Sequence, residues 1–420
     1  MKYIVILGDG MAGEPVEALG GKTTLQAANK PSIDALAAAG CSGVLSTVPE
    51  GYEPGSEIAN LSVLGYDVNE VFEGRGSLEA ASMGVEIEEG EMAMRCNIIT
   101  IEDEKIKNHS AGHISTEEAT ELLEYLQQEL GDERVSFHAG VSYRHLIKVK
   151  GGDKRVECTP PHNVPGTPYR DVMVRAEVAA AEQTAALLNE LTLKSQELLR
   201  SHPVNLKRVA EGKDPANSIW VWSAGYKPAM RPLTEREEVK SGSVISAVDL
   251  IKGIGVYAGL RPIEVEGATG LYDTNYEGKA QAAIEALKSE DFVYLHIEAS
   301  DEAGHEGDHE LKVRTIEYLS ERAVKPIMEA IREMGERGER GERGERGERG
   351  ERGERVRVAL LPDHPTPCHL KTHTRDDVPF VIYDPEWQAD SVMQYDETAA
   401  REGSLGRLVG TEFMDLLLKK

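Results

Sequence analysis

Short β-rich runs recur along this chain at 3–7, 292–297, 356–361 and 380–383, each followed by turn residues or a helical pattern. That alternation reads as an α/β fold with a mostly parallel sheet flanked by helices. Open parallel sheets bind ligands beyond the carboxyl ends of their strands, so the residues just after each run carry the most information. They are alike in chemistry. Gly8-Asp9-Gly10 follows the first run, Asp301 and His305 follow the second, and Asp363-His364 follows the third, with His373 a few residues on.

Three aspartates and three histidines would thus converge on one rim of the sheet. Each has an ordinary structural explanation: Asp9 as a turn residue, Asp301 with His305 as a helix-start pair, Asp363-His364-Pro365 as a capped turn. Their joint placement argues otherwise. Carboxylate oxygens with imidazole nitrogens suit a divalent ion, and six such ligands exceed what one ion usually takes from protein, so two ions side by side are the economical account. Glu306 and His309, close to His305, read as solvated residues.

A nucleophile completes such a site. In Pro54-Gly55-Ser56-Glu57-Ile58-Ala59-Asn60 a serine follows a glycine turn at an expected helix start. Serines at helix starts commonly cap. Here a metal beside the hydroxyl would also lower its pKa, and the helix N-terminus would stabilise a phosphate attached to it.

Composition narrows the partners. With 47 Lys+Arg against 73 Asp+Glu the formal charge is -26, which opposes general nucleic-acid binding, since that affinity comes from clustered cations displacing counterions. No stretch approaches the roughly 18 apolar residues of a membrane span, and the run at 3–7 is too short for a signal-peptide core. Cys41, Cys96, Cys158 and Cys368 form no C-x-x-C pair, so neither a disulfide framework nor a thiolate zinc site is indicated. The expectation is a cytoplasmic protein with reduced thiols.

At 420 residues the chain should hold more than one domain, on a prior of roughly 150 residues each. The middle differs from the ends. Ser115-Thr-Glu-Glu118 is a capping-box signature ahead of Leu122, Leu123, Leu126 and Leu130 at helical spacing, 137–150 reads as strand, and 173–200 as a second helix. The expected organisation is a discontinuous metal-binding domain, 1–77 with 244–420, interrupted by a smaller α/β segment at 78–243. Residues 335–355 are seven consecutive copies of Gly-Glu-Arg. Without proline, and too short for collagen, the tract reads as a mobile surface loop that cannot offset its ordering entropy by burial.

The stretches G-D-G-M, V-P-E-G-Y-E-P-G-S-E-I-A-N-L-S-V-L-G-Y-D, G-R-G-S-L-E-A-A-S-M-G, S-A-G-H-I-S-T-E-E-A, S-D-E-A-G-H-E-G-D and L-P-D-H-P-T-P together resemble the archaeal-type, 2,3-bisphosphoglycerate-independent phosphoglycerate mutases of the alkaline phosphatase superfamily. The resemblance covers nearly the whole chain apart from the Gly-Glu-Arg tract. It implies an alkaline-phosphatase-like fold and an isomerase that moves a phosphoryl group between 3- and 2-phosphoglycerate through phosphorylated Ser56. It implies that Asp9, Ser56, Asp363 and His364 hold one metal and Asp301, His305 and His373 the other. Manganese is the expected metal, with Mg, Co or Zn as alternatives, and no 2,3-bisphosphoglycerate is required. The inserted segment would be a phosphotransferase domain that positions the substrate and closes against water.

A small anionic substrate needs local positive charge in so acidic a chain. Arg95, His113, Arg144 and His162 in the inserted segment are the candidates: His113 for its place before the capping box, His162 for its proline-stiffened loop, and the arginines for bidentate contact with a carboxylate. Three other readings stay open: a homoserine-kinase-like member of the same family, a metal-dependent phosphomonoesterase, and a structural metal centre without catalysis. Assembly into a homo-oligomer is left open as well.

Overall fold

The structure is a computed structural model and describes residues 1–341 and 355–419. It divides into two compact units, one of Met1–Val71 with Met230–Lys420 and one of Phe72–Ala229.

The first unit is built on eight strands: β1 (Lys2–Gly8), β2 (Cys41–Ser46), β3 (Gly242–Ile245), β4 (Arg261–Pro262), β5 (Phe292–Ile297), β6 (Val356–Leu361), β7 (Val378–Tyr383) and β8 (Gly406–Val409). Their order across the sheet is β4-β3-β5-β1-β6-β7-β2-β8. The pairings from β4 through β6 are parallel, as is β2 with β8, while β7 runs antiparallel to both neighbours. The mostly parallel α/β expectation therefore holds. Strand β1 lies between β5 and β6, with Ile4 level with Val293 on one side and Val358 on the other. These three strands are buried on both faces, which is why they read as unbroken apolar runs. One face packs Ile4, Ile6, Val293, Leu295, Val358 and Leu360 against helices Pro31–Ala39 and Tyr276–Leu287. Because β5, β1 and β6 are neighbours, the segments leaving their carboxyl ends emerge side by side. Three further helices of this unit bear on the site: α1 (Ser56–Val63), α2 (Ala299–Glu306) and α3 (His309–Tyr318).

The second unit holds a five-stranded antiparallel sheet in the order Lys105–Asn108, Glu91–Glu102, Arg144–Lys150, Val135–His138, with Ser218–Gly225 also paired to Glu91–Glu102. Helices Thr116–Leu130 and Glu182–Arg200 pack on it through Leu122, Leu126, Leu188 and Leu191. Ser115 caps the first of these, its hydroxyl accepting from the Glu118 amide at 3.2 Å.

Several expectations need correction. The strand read over 137–150 is a hairpin, Val135–His138 and Arg144–Lys150, turning where Ser142 takes a positive φ of 55°. The helix read from 173 begins at Glu182. Ahead of it, Arg175–Ala176 pairs with Val156–Glu157, satisfying backbone groups that a longer helix would have used. The unit boundaries fall at 71/72 and 229/230, not at 77/78 and 243/244. The helix Arg75–Ser82 belongs to the second unit, its Arg75 amide donating to the Ser223 hydroxyl at 3.0 Å, while Gly242 pairs with Phe292 in the first sheet. The loop read over 335–355 is helical at its start. A helix spanning Lys325–Gly341 runs through the first two Gly-Glu-Arg copies, since extending an existing helix costs less than nucleating one. The rest of that expectation, 342–354, lies outside the described residues.

All four cysteines are free thiols, and no helix among the described residues is long and apolar enough to cross a membrane. Because the second unit closes its own apolar core, residues 72–229 expressed alone are expected to unfold cooperatively with native-like chemical-shift dispersion. A collapsed spectrum without a thermal transition would contradict that division.

Candidate active site

The candidate site residues of the first unit sit on short segments leaving adjacent strands. Asp9 follows β1 and is buried, with 1% of its surface exposed. Asp301 and His305 lie one turn apart on α2, directly after β5, so both side chains share a face. Asp363 and His364 follow β6, are fully buried, and precede the loop that carries His373. Backbone conformation makes this packing feasible. Gly10 has a φ of +60°, and a Cβ there would lie 2.5 Å from Asp301 Oδ1 and 2.6 Å from Thr366 Oγ1, so any side chain would fill the space between two ligand segments.

One subcluster contains Asp301, His305 and His373. His305 Nε2 lies 3.2 Å from Asp301 Oδ2 and 2.9 Å from His373 Nε2, which is itself 3.5 Å from Asp301 Oδ1. The other ring nitrogens are committed. His305 Nδ1 donates to the Lys371 carbonyl at 3.0 Å and His373 Nδ1 to the Pro54 carbonyl at 3.2 Å. A carbonyl can only accept, so each Nδ1 carries the hydrogen and each Nε2 is aimed at the same point beside Asp301, as in oriented imidazole ligands.

The second subcluster contains Asp9, Asp363 and His364. His364 Nε2 lies 3.7 Å from Asp9 Oδ1, 3.4 Å from Asp363 Oδ2 and 3.2 Å from Ser56 Oγ. Its ring stacks on His373 at 3.9 Å between centroids, so His364 adjoins both groups, and its ligand atom lies within 4.8 Å of those of Asp301 and His373. Asp9 Oδ1 is buried with no hydrogen-bond partner. An orphaned carboxylate oxygen in this position costs free energy unless a cation meets it, so the donor set fits a metal.

Ser56 is the first residue of α1, with Gly55 at the cap position and no side-chain capping bond. Its hydroxyl is therefore not spent on capping; it faces His364.

The electrostatics follow from packing. Burial, then the charges of Asp363 and Asp301, push Asp9 well above the usual carboxylate range. Burial works the same way on Asp301, but hydrogen bonds from His305 and His373 outweigh it and hold Asp301 well below that range. The hydrogen bond to Asp301 raises His305 to about 9. Three carboxylates this close repel one another, and protons collect on the cluster where no cation offsets them.

Several residues went unread in the sequence. His296 on β5 donates from Nε2 to Asp9 Oδ2 at 2.9 Å, while its Nδ1 accepts from the Ser246 hydroxyl at 3.1 Å. Its ligand atom lies within 4.8 Å of those of Asp9 and Asp363. Both ring nitrogens are already engaged, so His296 holds Asp9 in place. Asn60 donates to Asp363 Oδ2 and to the Ser56 carbonyl, both at 2.9 Å, and accepts from Tyr294 at 2.6 Å. It ties the serine helix to a candidate ligand, and its place four residues after Ser56 was the available signal.

The second unit gathers the other candidates around an aromatic row. Arg95 is buried, lies 4.2 Å over the Trp222 ring, and pairs with Glu79 at 2.9 Å. Burial draws it down to about 10, against the opposing charge of Glu79. His162 meets Trp222 at 5.4 Å and His109 at 6.1 Å, His109 meets Tyr143 at 5.7 Å, and Arg144 lies over Tyr143 at 5.3 Å. Burial, then His109, Arg95 and Arg75, depress His162. Burial, then His113, depress His109. The structure thus joins Arg95, Arg144 and His162 to Arg75 and His109, which sequence reasoning missed. His113 stands at the edge, exposed, with a φ of +54°.

A parallel sheet whose strand ends gather carboxylates, imidazoles and a helix-start serine is the frame of a metalloenzyme, and residues 352–420 match the model of the Metalloenzyme superfamily. The chain belongs to the 2,3-bisphosphoglycerate-independent phosphoglycerate mutase family, whose model matches residues 37–205. It is 49% identical to a protein of that name from Methanosarcina acetivorans, covering 100% of both chains, and 45% identical to a relative from Geobacter sulfurreducens, again over 100% of both. Among solved structures it is similar to a Pyrococcus horikoshii protein (TM-score 0.80, 29% identity, 99% of this chain and 96% of that one). It is also similar to a cofactor-independent phosphoglycerate mutase from Thermoplasma acidophilum (TM-score 0.68, 27% identity, 100% of this chain and 99% of that one).

Cation binding should release protons, because His305, raised to about 9, holds one at neutral pH that a metal must displace. Affinity for Mn should then climb with pH and level off above that value, by roughly tenfold per pH unit for each proton released. Calorimetric titration of metal-stripped protein in buffers of different ionisation enthalpy reads both quantities. Affinity that is flat with pH would contradict the assignment.

Proposed function

We propose that the protein interconverts 3-phosphoglycerate and 2-phosphoglycerate with Ser56 as the transient phosphoryl carrier and without 2,3-bisphosphoglycerate. Membership in the mutase family supports the reaction. The observation that carries the mechanism is the Ser56 hydroxyl, unspent on capping and 3.2 Å from His364 Nε2 at the start of α1.

In our reading Asp9, Ser56, Asp363 and His364 hold one divalent cation and Asp301, His305 and His373 the other, manganese being the favoured metal. When bound, the cations offset charge on the phosphoryl oxygens and acidify the serine. Ser56 Oγ attacks phosphorus and the bond to the 3-oxygen breaks, that oxygen taking up a proton. The first turn of α1 stabilises the phosphate now on the serine. Glycerate then presents its 2-hydroxyl, which gives up a proton as it takes the phosphoryl group and frees Ser56. Protons balance over the two halves, so the net change is isomerisation. Asn60 holds the serine helix to Asp363 throughout, and His296 holds Asp9. In the second unit Arg75, Arg95 and Arg144 carry the positive charge that a small anionic substrate requires, with His109 and His162 beside them as hydrogen-bonding groups and His113 at the edge.

Purified protein given manganese and 3-phosphoglycerate, with no nucleotide, should form 2-phosphoglycerate. Ser56→Ala should lower turnover by roughly 10⁴-fold or more with the fold and the cation at Asp301, His305 and His373 kept. Free phosphate as the main product would make the protein a phosphomonoesterase, ATP-dependent phosphorylation of homoserine would make it a kinase, and full activity in Ser56→Ala would remove the nucleophile.

A further inference from the structure

On helix α3 Glu310 and Arg314 share an exposed face, and Lys312 lies on the opposite side with Thr315 and Ile316, buried with 1% exposure. A buried lysine is costly unless its ammonium is met by acceptors. Here Nζ donates to the carbonyls of Ala12 at 2.8 Å and Thr366 at 2.7 Å. Burial draws Lys312 down to about 8, so at neutral pH the cationic form still prevails.

These two carbonyls belong to different segments of the site. Ala12 follows Asp9 by three residues, and Thr366 follows Asp363 and His364. The segments also meet directly, the Thr366 amide donating to the Ala12 carbonyl at 3.1 Å. The Thr366 hydroxyl donates to Asp301 Oδ1. A single ammonium thus closes a knot in which the segments after β1 and β6 and helix α2 are joined, and each of the three bears candidate ligands. Without it, two inward-facing carbonyl dipoles would lie together in the interior with their shared donor gone, beneath three carboxylates that already repel one another.

We infer that Lys312 is a positioning residue of the cation site, clamping the Asp9 and Asp363-His364 segments so that their side chains are held at binding distance. It touches neither substrate nor reacting atoms and acts through the ligands. The inference rests on reading the cluster as a metal site, not on which reaction that site performs.

The test compares metal-stripped, full-length wild type, Lys312→Met and Ile316→Ala by calorimetric titration with Mn, alongside thermal melts. Ile316, fully buried in the core on the same helix, controls for lost stability alone. Lys312→Met should weaken cation binding by roughly 10–100-fold, the usual effect of removing a group that orients ligands, whereas Ile316→Ala lowers the melting temperature and leaves affinity within about twofold. Lys312→Gln, which keeps donors but no charge, should fall between wild type and Lys312→Met, and it replaces that variant should Lys312→Met not fold. Wild-type affinity in a folded Lys312 variant would overturn the proposal. So would failure of both variants to fold, which makes the lysine structural only. Absence of binding in the wild type would instead overturn the metal reading itself.

Discussion

Asp9, Asp301 and Asp363 are buried side by side because β5, β1 and β6 are neighbours in one parallel sheet. Much of the first unit's local structure can be understood as the means of keeping three like charges together. Imidazoles stand between them, Gly10 leaves the space they occupy, and hydrogen bonds from Asn60, His296 and Thr366 fix individual oxygens. One oxygen of Asp9 remains without a partner. Repulsion of this kind is a poor route to stability and an effective route to cation affinity, since the energy that packing stores is recovered when positive charge arrives.

The same constraint shapes the candidate nucleophile, Ser56. A serine at a helix start usually satisfies a backbone amide, which is why Ser56 alone said little. In the folded chain Gly55 takes the cap position, and the serine side chain is turned to His364. His373 reaches the same segment through the Pro54 carbonyl, so the loop that delivers the serine is anchored to a candidate ligand of the cluster. Ser56 and the candidate metal ligands are therefore one hydrogen-bonded assembly, and displacement of either would be felt by the other.

How much of this was legible depended on how each residue meets its surroundings. Strands β1, β5 and β6 could be read because burial on both faces demands unbroken apolar runs, and the acidic and imidazole residues after them stood out against that background. His296 could not, since a ring inside such a run looks like core packing. Lys312 was passed over although helical spacing sets it opposite Glu310 and Arg314, on the side of Thr315 and Ile316, because a lysine beside apolar positions ordinarily extends to solvent. The hairpin at 135–150 merged into one strand because only Gly140 and a strained Ser142 mark its turn. The second-unit cluster was half legible: Arg95, Arg144 and His162 were singled out by charge and loop context, whereas Arg75 and His109 join them only through strands distant in sequence. The boundary at 229/230 was missed because residues 230–241 have little regular structure of their own. Only their packing assigns them, as when the Leu233 amide donates to the Ala258 carbonyl at 2.8 Å.

The central claim is that the convergent carboxylates and imidazoles hold two cations beside Ser56. Crystals grown with manganese and measured across its absorption edge test this directly. The account predicts two anomalous peaks, one bounded by Asp301, His305 and His373 and one by Asp9, Asp363, His364 and the Ser56 oxygen. A map with no peak inside the cluster, or with its only peak out of reach of Ser56, would contradict it.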